Sequence, residues 1–235
     1  MKTSIIQIAY DQATVKMLSD DERVYHVIRP DSGPYLENEI IVRFLEMPFV
    51  SSVDYIGVLS ARFEDKSRWR QSPNKTIPAI LDFIEQDKNL ADVYSFFGGH
   101  TERNIWTKAE QWQPGILDIA ERLFDIFEQE TKTKVGDITK LETPIIYQNA
   151  FIAKSAIYSD YVKTFLKPLT AIMERDKHLI EWLNQNANYK DSKLNKEKLL
   201  ETFGRPFYTF HPFVCERFFS TYLAINKNLF TLKHI

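Results

Sequence analysis

Residues 51–63 read "SSVDYIGVLSARF". Val53 to Leu59 form a nearly continuous apolar run with one glycine; Asp54 opens the strand, and Ser60 and Arg62 close it. A run of this kind reads as a strand buried on both faces, and such strands belong to α/β sheets covered by helices on either side. The stretch therefore predicts an interior, central strand.

Working outward, "SIIQIAY" (4–10) and "RVYHVIR" (23–29) are short β-rich runs and read as two more strands. The turn cluster 29–34 leads into "YLENEIIVRFLEM", where Leu36, Ile40 and Phe44 recur every four residues, as in a helix. Downstream, "TIPAILDFIEQ" (76–86) has Ile77, Ile80, Leu81 and Ile84 at helical spacing with Thr76 as the expected N-cap, and "ADVYSFF" follows as a strand broken by Gly98 and Gly99. "RNIWTKAEQW" and "PGILDIAERLFDIFEQE" read as two helices parted at Pro114, and 145–153, within "PIIYQNAFIAK", as another strand. A long helical segment from Ser155 to about Asn186 is expected to kink at Pro168, and "NANYKDSKLNKEK" to be a surface loop. Strands alternating with helices over 1–154 predict a mostly parallel sheet flanked by helices, with 155–235 a helical part of the same domain.

The charge is nearly balanced, 30 basic against 32 acidic residues, which disfavours nonspecific nucleic-acid binding because that needs a basic surface to displace counterions. Cys215 stands alone beside bulky apolar residues and reads as a buried, inert thiol. The first residues are too interrupted for a signal peptide, and no run of roughly 18 apolar residues occurs, so a cytoplasmic protein without a transmembrane segment is expected. There is no G-x-G-x-x-G, no G-x-x-x-x-G-K and no G-x-S-x-G, and the five histidines do not form a metal-ligand pattern.

Polar residues at strand ends carry the chemistry that remains. Ligands of open α/β sheets bind beyond the carboxyl ends of strands, which singles out Ser60, Arg62 and the "GGHTER" loop with His100 and Arg103. Asp54, Asp92 and Asn149 are further polar interruptions of buried runs, and Trp106, Trp112 and Tyr94 are aromatic rings of the kind that more often fills a core. In "TFHPFVCERFFSTYLAI" (209–225), a 100° step per residue puts Phe213, Phe219 and Leu223 on the same face as Glu216. A carboxylate on an apolar face is costly unless bonded or paired. Glu216 is thus either a site acid tuned by His211 or Arg217, or a structural anchor.

Taken in order, "IIQIAYD", "PYLENEIIVRFLE", "VDYIGVLSARFEDKS", "ADVYSFF", "NIWTKAEQWQPGI", "IIYQNAFIAKSAIYSDYVKTFLKPLTAIME" and "FHPFVCERFFSTYLA" resemble a bacterial family of glycosyltransferase-like proteins of capsule and O-antigen polysaccharide synthesis. The resemblance implies a GT-A-like fold and transfer of a sugar from a nucleotide-sugar donor to a glycan or lipid-linked acceptor, in the cytoplasm or peripherally at the inner face of the membrane. Carried onto this chain, Asp54 and Tyr55 lie by the donor, Asp92 stands where these folds place a metal-binding acid for Mn or Mg, and Glu216 with Arg217 closes the site. "ADVYSFF" has one acid and no Asp-x-Asp, so a metal-independent site, with Arg62, Arg103 or Arg217 neutralising the diphosphate, is equally open. A catalytically silent sugar- or nucleotide-binding partner protein is the alternative.

Overall fold

In a computed structural model the described residues are 1–29, 33–43, 47–63, 76–96, 103–147, 149–189 and 195–235. Among them, six strands form one sheet: β1 (Thr3–Ala9), β2 (Val24–Ile28), β3 (Tyr55–Ser60), β4 (Val93–Ser95), β5 (Phe151–Lys154) and β6 (Leu232–His234), in the order β2-β1-β3-β5-β4-β6. β1 pairs parallel with β2 and β3; β5 runs antiparallel to β3 and β4; β6 runs parallel to β4. The sheet is therefore mostly parallel, with β3 in its interior as "DYIGVLS" predicts.

Alternation along the strands decides what covers each face. Ile6, Ile8, Ile56 and Val58 look into one core, and Ile5, Tyr55, Leu59 and Ile152 into the other. The second core is closed by α3 (Thr76–Gln86), after α1 (Gln12–Val15) and α2 (Glu37–Arg43), through Ile77, Ile80, Leu81 and Ile84. The first core is larger and takes α4 (Ile105–Trp112), α5 (Ile116–Thr131) and most of the C-terminal helical part. Gly57 is required where β3 meets β5: a Cβ there would sit 2.7 Å from the Ile152 side chain and 2.9 Å from the Phe151 carbonyl.

Five local readings need correction. The 145–153 run is strand only from Phe151, because Asn149 adopts a left-handed φ of 54° and turns the chain, while Ile145 and Ile146 enter the first core. The 155–186 segment is α6 (Ser155–Tyr161), a π-helical turn (Val162–Leu166), α7 (Lys167–Arg175) and α8 (Lys177–Leu183). The irregular turn lies just before Pro168, whose missing N–H takes a bond out of the ladder. The segment is cut at Asp176, which bonds the Leu179 N–H and caps α8. The polar 186–198 stretch is not all loop, since α9 (Lys196–Phe203) starts inside it. Finally, 209–225 is two helices, α10 (His211–Cys215) and α11 (Phe218–Ile225), joined through Glu216 and Arg217. β6 was not anticipated, and Thr76 is itself helical within α3 rather than its cap.

Candidate functional site at the carboxyl edge of the sheet

The chain leaves β1 towards β2 on one side and later leaves β3 towards the other side, so the sheet's order reverses between β1 and β3. A crevice outside the carboxyl ends of strands at such a switch point is where open α/β sheets take ligands. Here the carboxyl ends are Ala9-Tyr10-Asp11, Ile28-Arg29 and Ser60-Ala61-Arg62, tied together by the Arg29 N–H to Ala9 O (2.8 Å) and the Ala61 N–H to Ile8 O (2.8 Å). β5 runs the other way, so its start brings Asn149 to the same edge as Ser60.

Each side chain has a local cause for its position. Asp11 caps α1, its carboxylate accepting the Thr14 N–H at 2.7 Å; these bonds to Thr14 hold its carboxyl below the usual range despite partial burial, and the Arg62 charge adds to the effect. The Ser60 hydroxyl accepts the Arg62 N–H at 3.2 Å, which fixes the turn after β3. Arg29 is ion-paired with Glu39 on the first turn of α2. Leu36, with a left-handed φ of 50°, sets the start of that helix, whose Asn38 Oδ1 faces the Asn149 Nδ2 at 3.5 Å. A leucine and an asparagine both held in the left-handed region mark this edge as one where backbone conformation is over-determined by its surroundings.

The C-terminal helices close over it. α10 packs against α2, and Tyr35 meets the His211 ring edge-on at 5.2 Å. Glu216 is half-buried at the joint between α10 and α11, and its charge reaches the Tyr10 hydroxyl. Burial, then the Glu37 carboxylate, pushes the Tyr10 phenol well above its ordinary range; Glu216 adds to this and Arg29 opposes it. Glu37 acts on the Tyr10 hydroxyl both through its charge and as a hydrogen-bond acceptor, although the two are not in ordinary hydrogen-bond geometry.

The helix break revises the one-stripe reading of 209–225. Phe213 packs with Tyr189 and Tyr208, whereas Phe219 stacks on Phe151 at 3.7 Å, so the two rings meet different neighbours within one core, and Glu216 stands between them in the chain, where α10 gives way to α11. His211 is 6% exposed, bonds Thr209 Oγ1 through Nδ1 at 3.0 Å, and is pushed down to about 4 by burial and by Arg205. Arg217 is 2% exposed and donates to Phe213 O and, at 2.9 Å, to Gln113 Oε1 at the end of α4. Burial lowers its pKa, and the charge of Glu216 works in the other direction. Arg217 is thus a strut behind Glu216, not a group facing solvent. Cys215 is buried, and burial raises its thiol well above the usual range, in keeping with an inert cysteine.

Three sequence candidates lie at the opposite edge of the sheet. Asp54 accepts the Lys2 N–H at 2.7 Å, and the Tyr55 hydroxyl donates to Ala91 O at 2.8 Å. Asp92 pairs with Lys154 at 2.7 Å through one oxygen and accepts from Thr231 N and Oγ1, each at 2.7 Å, through the other. Burial alone would raise its carboxyl, but the bonds from Lys154 and Thr231 hold it below the usual range. Both oxygens are thereby spent on fastening β5 and the approach to β6. Since strands β3 and β4 begin at this edge and end at the other, Asp54, Tyr55 and Asp92 cannot share a crevice with Ser60 and Arg62. Arg103 is 84% exposed by its side chain and meets Glu142 at 3.5 Å; His100 lies outside the described residues.

Tyr10, Arg29 and Glu37 were not picked from the sequence, although the carboxyl-end rule applied to "IIQIAYD" and "RVYHVIR" would have found the first two. Among the described residues no group of three or more His, Cys, Asp or Glu is arranged to hold a metal ion, and no helix is long and apolar enough to cross a membrane. A surface groove of about 770 Å³ lies elsewhere, along α5 and the α7–α8 joint. It is open and its charges are largely internal ion pairs, Arg122 with Asp176 and Arg175 with Glu130. The carboxyl edge is the better candidate because half-buried acids, a buried phenol and strained backbone meet there.

No protein-family model, no curated protein and no solved structure matches the chain.

Proposed function

We propose that the chain is a glycosyltransferase of the GT-A type that moves a sugar from a nucleotide-sugar donor to a glycan or lipid-linked acceptor, with its donor site at the β1/β3 switch point. The observation that carries this reading is that Tyr10, at the end of β1, lies within electrostatic reach both of Arg29, at the end of β2, and of Glu216 from the C-terminal helices. It supplies, at one edge, a cation for a diphosphate and a carboxylate for a hydroxyl. The mostly parallel sheet with a helical C-terminal part agrees with the GT-A-like architecture implied by the resemblance.

The acceptor hydroxyl attacks the anomeric carbon, the bond from that carbon to the diphosphate breaks with its electrons, and the hydroxyl proton passes to the Glu216 carboxylate as general base. Arg62 neutralises the charge that develops on the departing diphosphate, with Arg29, already paired with Glu39, beside it at the end of β2. Because Asp92 already has both oxygens occupied, it is left out of this scheme as acid and as metal ligand. Arg217 acts through Glu216, by holding the joint between α10 and α11. A donor site without transfer is the second reading, favoured by the single acid of "ADVYSFF".

The test is a thermal-shift screen against nucleotide-sugars, each with and without manganese, followed by a transfer assay on those that bind. A ligand bound only to the folded chain must raise its apparent stability. Stabilisation by at least one nucleotide-sugar, lost in Arg62→Ala, is the expected result. No stabilisation by any of them would overturn the donor site; stabilisation without transfer would select the silent reading.

A further inference from the structure

The two edges of the sheet are built differently. β6, at one edge, is three residues long and carries a lysine, Lys233, which are two of the ways soluble sheets keep an edge from pairing. β2, at the other edge, reads Val24-Tyr25-His26-Val27-Ile28, with no lysine, acid or proline. Its Tyr25 is 40% exposed and its Ile28 60%. The Ile5 N–H bonds Arg23 O at 3.0 Å and the Arg29 N–H bonds Ala9 O at 2.8 Å, so in this parallel pair the odd-numbered residues of β2 turn their backbone groups to β1 and the even-numbered ones turn theirs outward. The Val24 N–H closes on Asp21 O at 2.9 Å. The Val24 carbonyl and both backbone groups of His26 and Ile28 remain on the outer side, with no backbone hydrogen-bond partner among the described residues.

We infer that β2 is an interface for a second copy of this chain, paired antiparallel about a two-fold axis at His26, so that two sheets become one. A two-fold contact requires a surface that matches itself. In the register centred on His26, the two His26 residues exchange N–H to carbonyl bonds and each Ile28 N–H reaches the Val24 carbonyl of the second copy, so every outward donor of β2 finds an acceptor. On one face Tyr25, stacked on Phe49 with ring centroids 4.0 Å apart, stands opposite Val27 of the second copy; on the other face Ile28 stands opposite Val24. Aromatic residues set against β-branched ones, and aliphatic pairs, stabilise antiparallel neighbours. Charge selects the same arrangement. At the start of β2, Arg23 is paired with three acids, Asp21, Asp82 and Glu85; at its end, Arg29 and Arg43 share one acid, Glu39. Antiparallel pairing sets the acid-rich end of each copy against the cation-rich end of the other, whereas a parallel second strand would set acids beside acids. β2 itself supplies all of these features at once. The interface does not depend on the glycosyl-transfer reading, and the two copies would open their carboxyl edges at opposite ends of the joint sheet.

The test is sedimentation equilibrium of the full chain from about 1 to about 100 μM, the range in which a contact of one strand pair is expected to associate. Wild type should be a dimer in the upper part of that range. Ile28→Lys changes an exposed side chain, sets an ammonium against Val24 of the second copy, and should weaken association about tenfold or more, while melting by circular dichroism verifies that the fold is kept. His26→Cys puts two thiols across the axis in a hydrogen-bonded pair, with Cα atoms about 5.5 Å apart and so within disulfide reach. Because Cys215 is buried, mild oxidation of that variant should give a covalent dimer through position 26 on a non-reducing gel. A wild type that stays monomeric across the range, a dimer indifferent to Ile28→Lys, or a His26→Cys chain that forms no covalent dimer overturns the inference. Growth beyond the dimer overturns it as well, since a closed two-fold contact uses up the edge of both copies.

Discussion

A carboxylate at a joint between two helices escapes the cost it would meet inside one continuous apolar stripe, and Glu216 sits at such a joint. If it is the base of the proposed transfer, Glu216→Gln keeps the shape, loses the basicity, and abolishes product formation with the urea midpoint unchanged. Activity that falls only in step with stability would make it an anchor instead. Arg217 should behave oppositely. Replacing it by Ala leaves Gln113 Oε1 and Phe213 O without their donor and opens a cavity, so unfolding should become easier by about 3–5 kcal/mol. Lysine should not restore the loss, because one ammonium cannot copy a planar fork reaching two acceptors. His211 gives a pH signature. Its folded pKa of about 4 lies below the ordinary value of 6.5, so the unfolded chain binds the extra proton between them. The stabilisation tied to the neutral ring is therefore complete above about pH 6.5 and is lost as pH falls through 4. Comparing urea midpoints of wild type and His211→Asn over pH 4–7, the difference between them should change across that window and stay flat above it.

Among the elements, β3 and β6 were read with opposite success for one physical reason. β3 is buried on both faces, so its whole sequence is apolar and its place in the sheet is legible, whereas β6 is three half-exposed or exposed residues held by polar clasps to partners more than a hundred positions away. The same contrast explains why the α10–α11 break and the antiparallel direction of β5 could not be read: hydrophobic spacing reports which face is buried, not where tertiary contacts cut a helix or which way a strand runs. Gly57→Ala should destabilise the chain by about 1–3 kcal/mol, since a methyl would press on the Ile152 side chain and the Phe151 carbonyl and β3 and β5 would have to part. Asp92→Asn should speed hydrogen exchange in β4 and β6 by weakening the Lys154 and Thr231 clasps while leaving transfer intact. Loss of transfer at unchanged exchange would return Asp92 to the list of site acids.

Over the whole molecule, the sheet separates two edges that look alike in the sequence. Polar residues interrupt buried runs at both ends of a strand, so Asp54, Tyr55 and Asp92 stood beside Ser60, Arg62 and Asn149 as candidates until strand direction divided them. Only the carboxyl edge brings together the switch point, the Tyr10 phenol, Arg29 and Glu216. Tyr10 and Arg29 are local to strand ends and were within reach of a sequence reading; their meeting with a residue from the last helices depends on the packing of α10 on α2 and was not. The central claim is that this edge is where a nucleotide-sugar binds. Hydrogen–deuterium exchange of the full chain with and without the best-stabilising nucleotide-sugar tests it most directly. Protection is predicted in peptides spanning 9–12, 28–29 and 60–63, at the ends of β1, β2 and β3; protection confined to the α5 groove or to the Asp54–Asp92 edge, with those peptides unchanged, would contradict it.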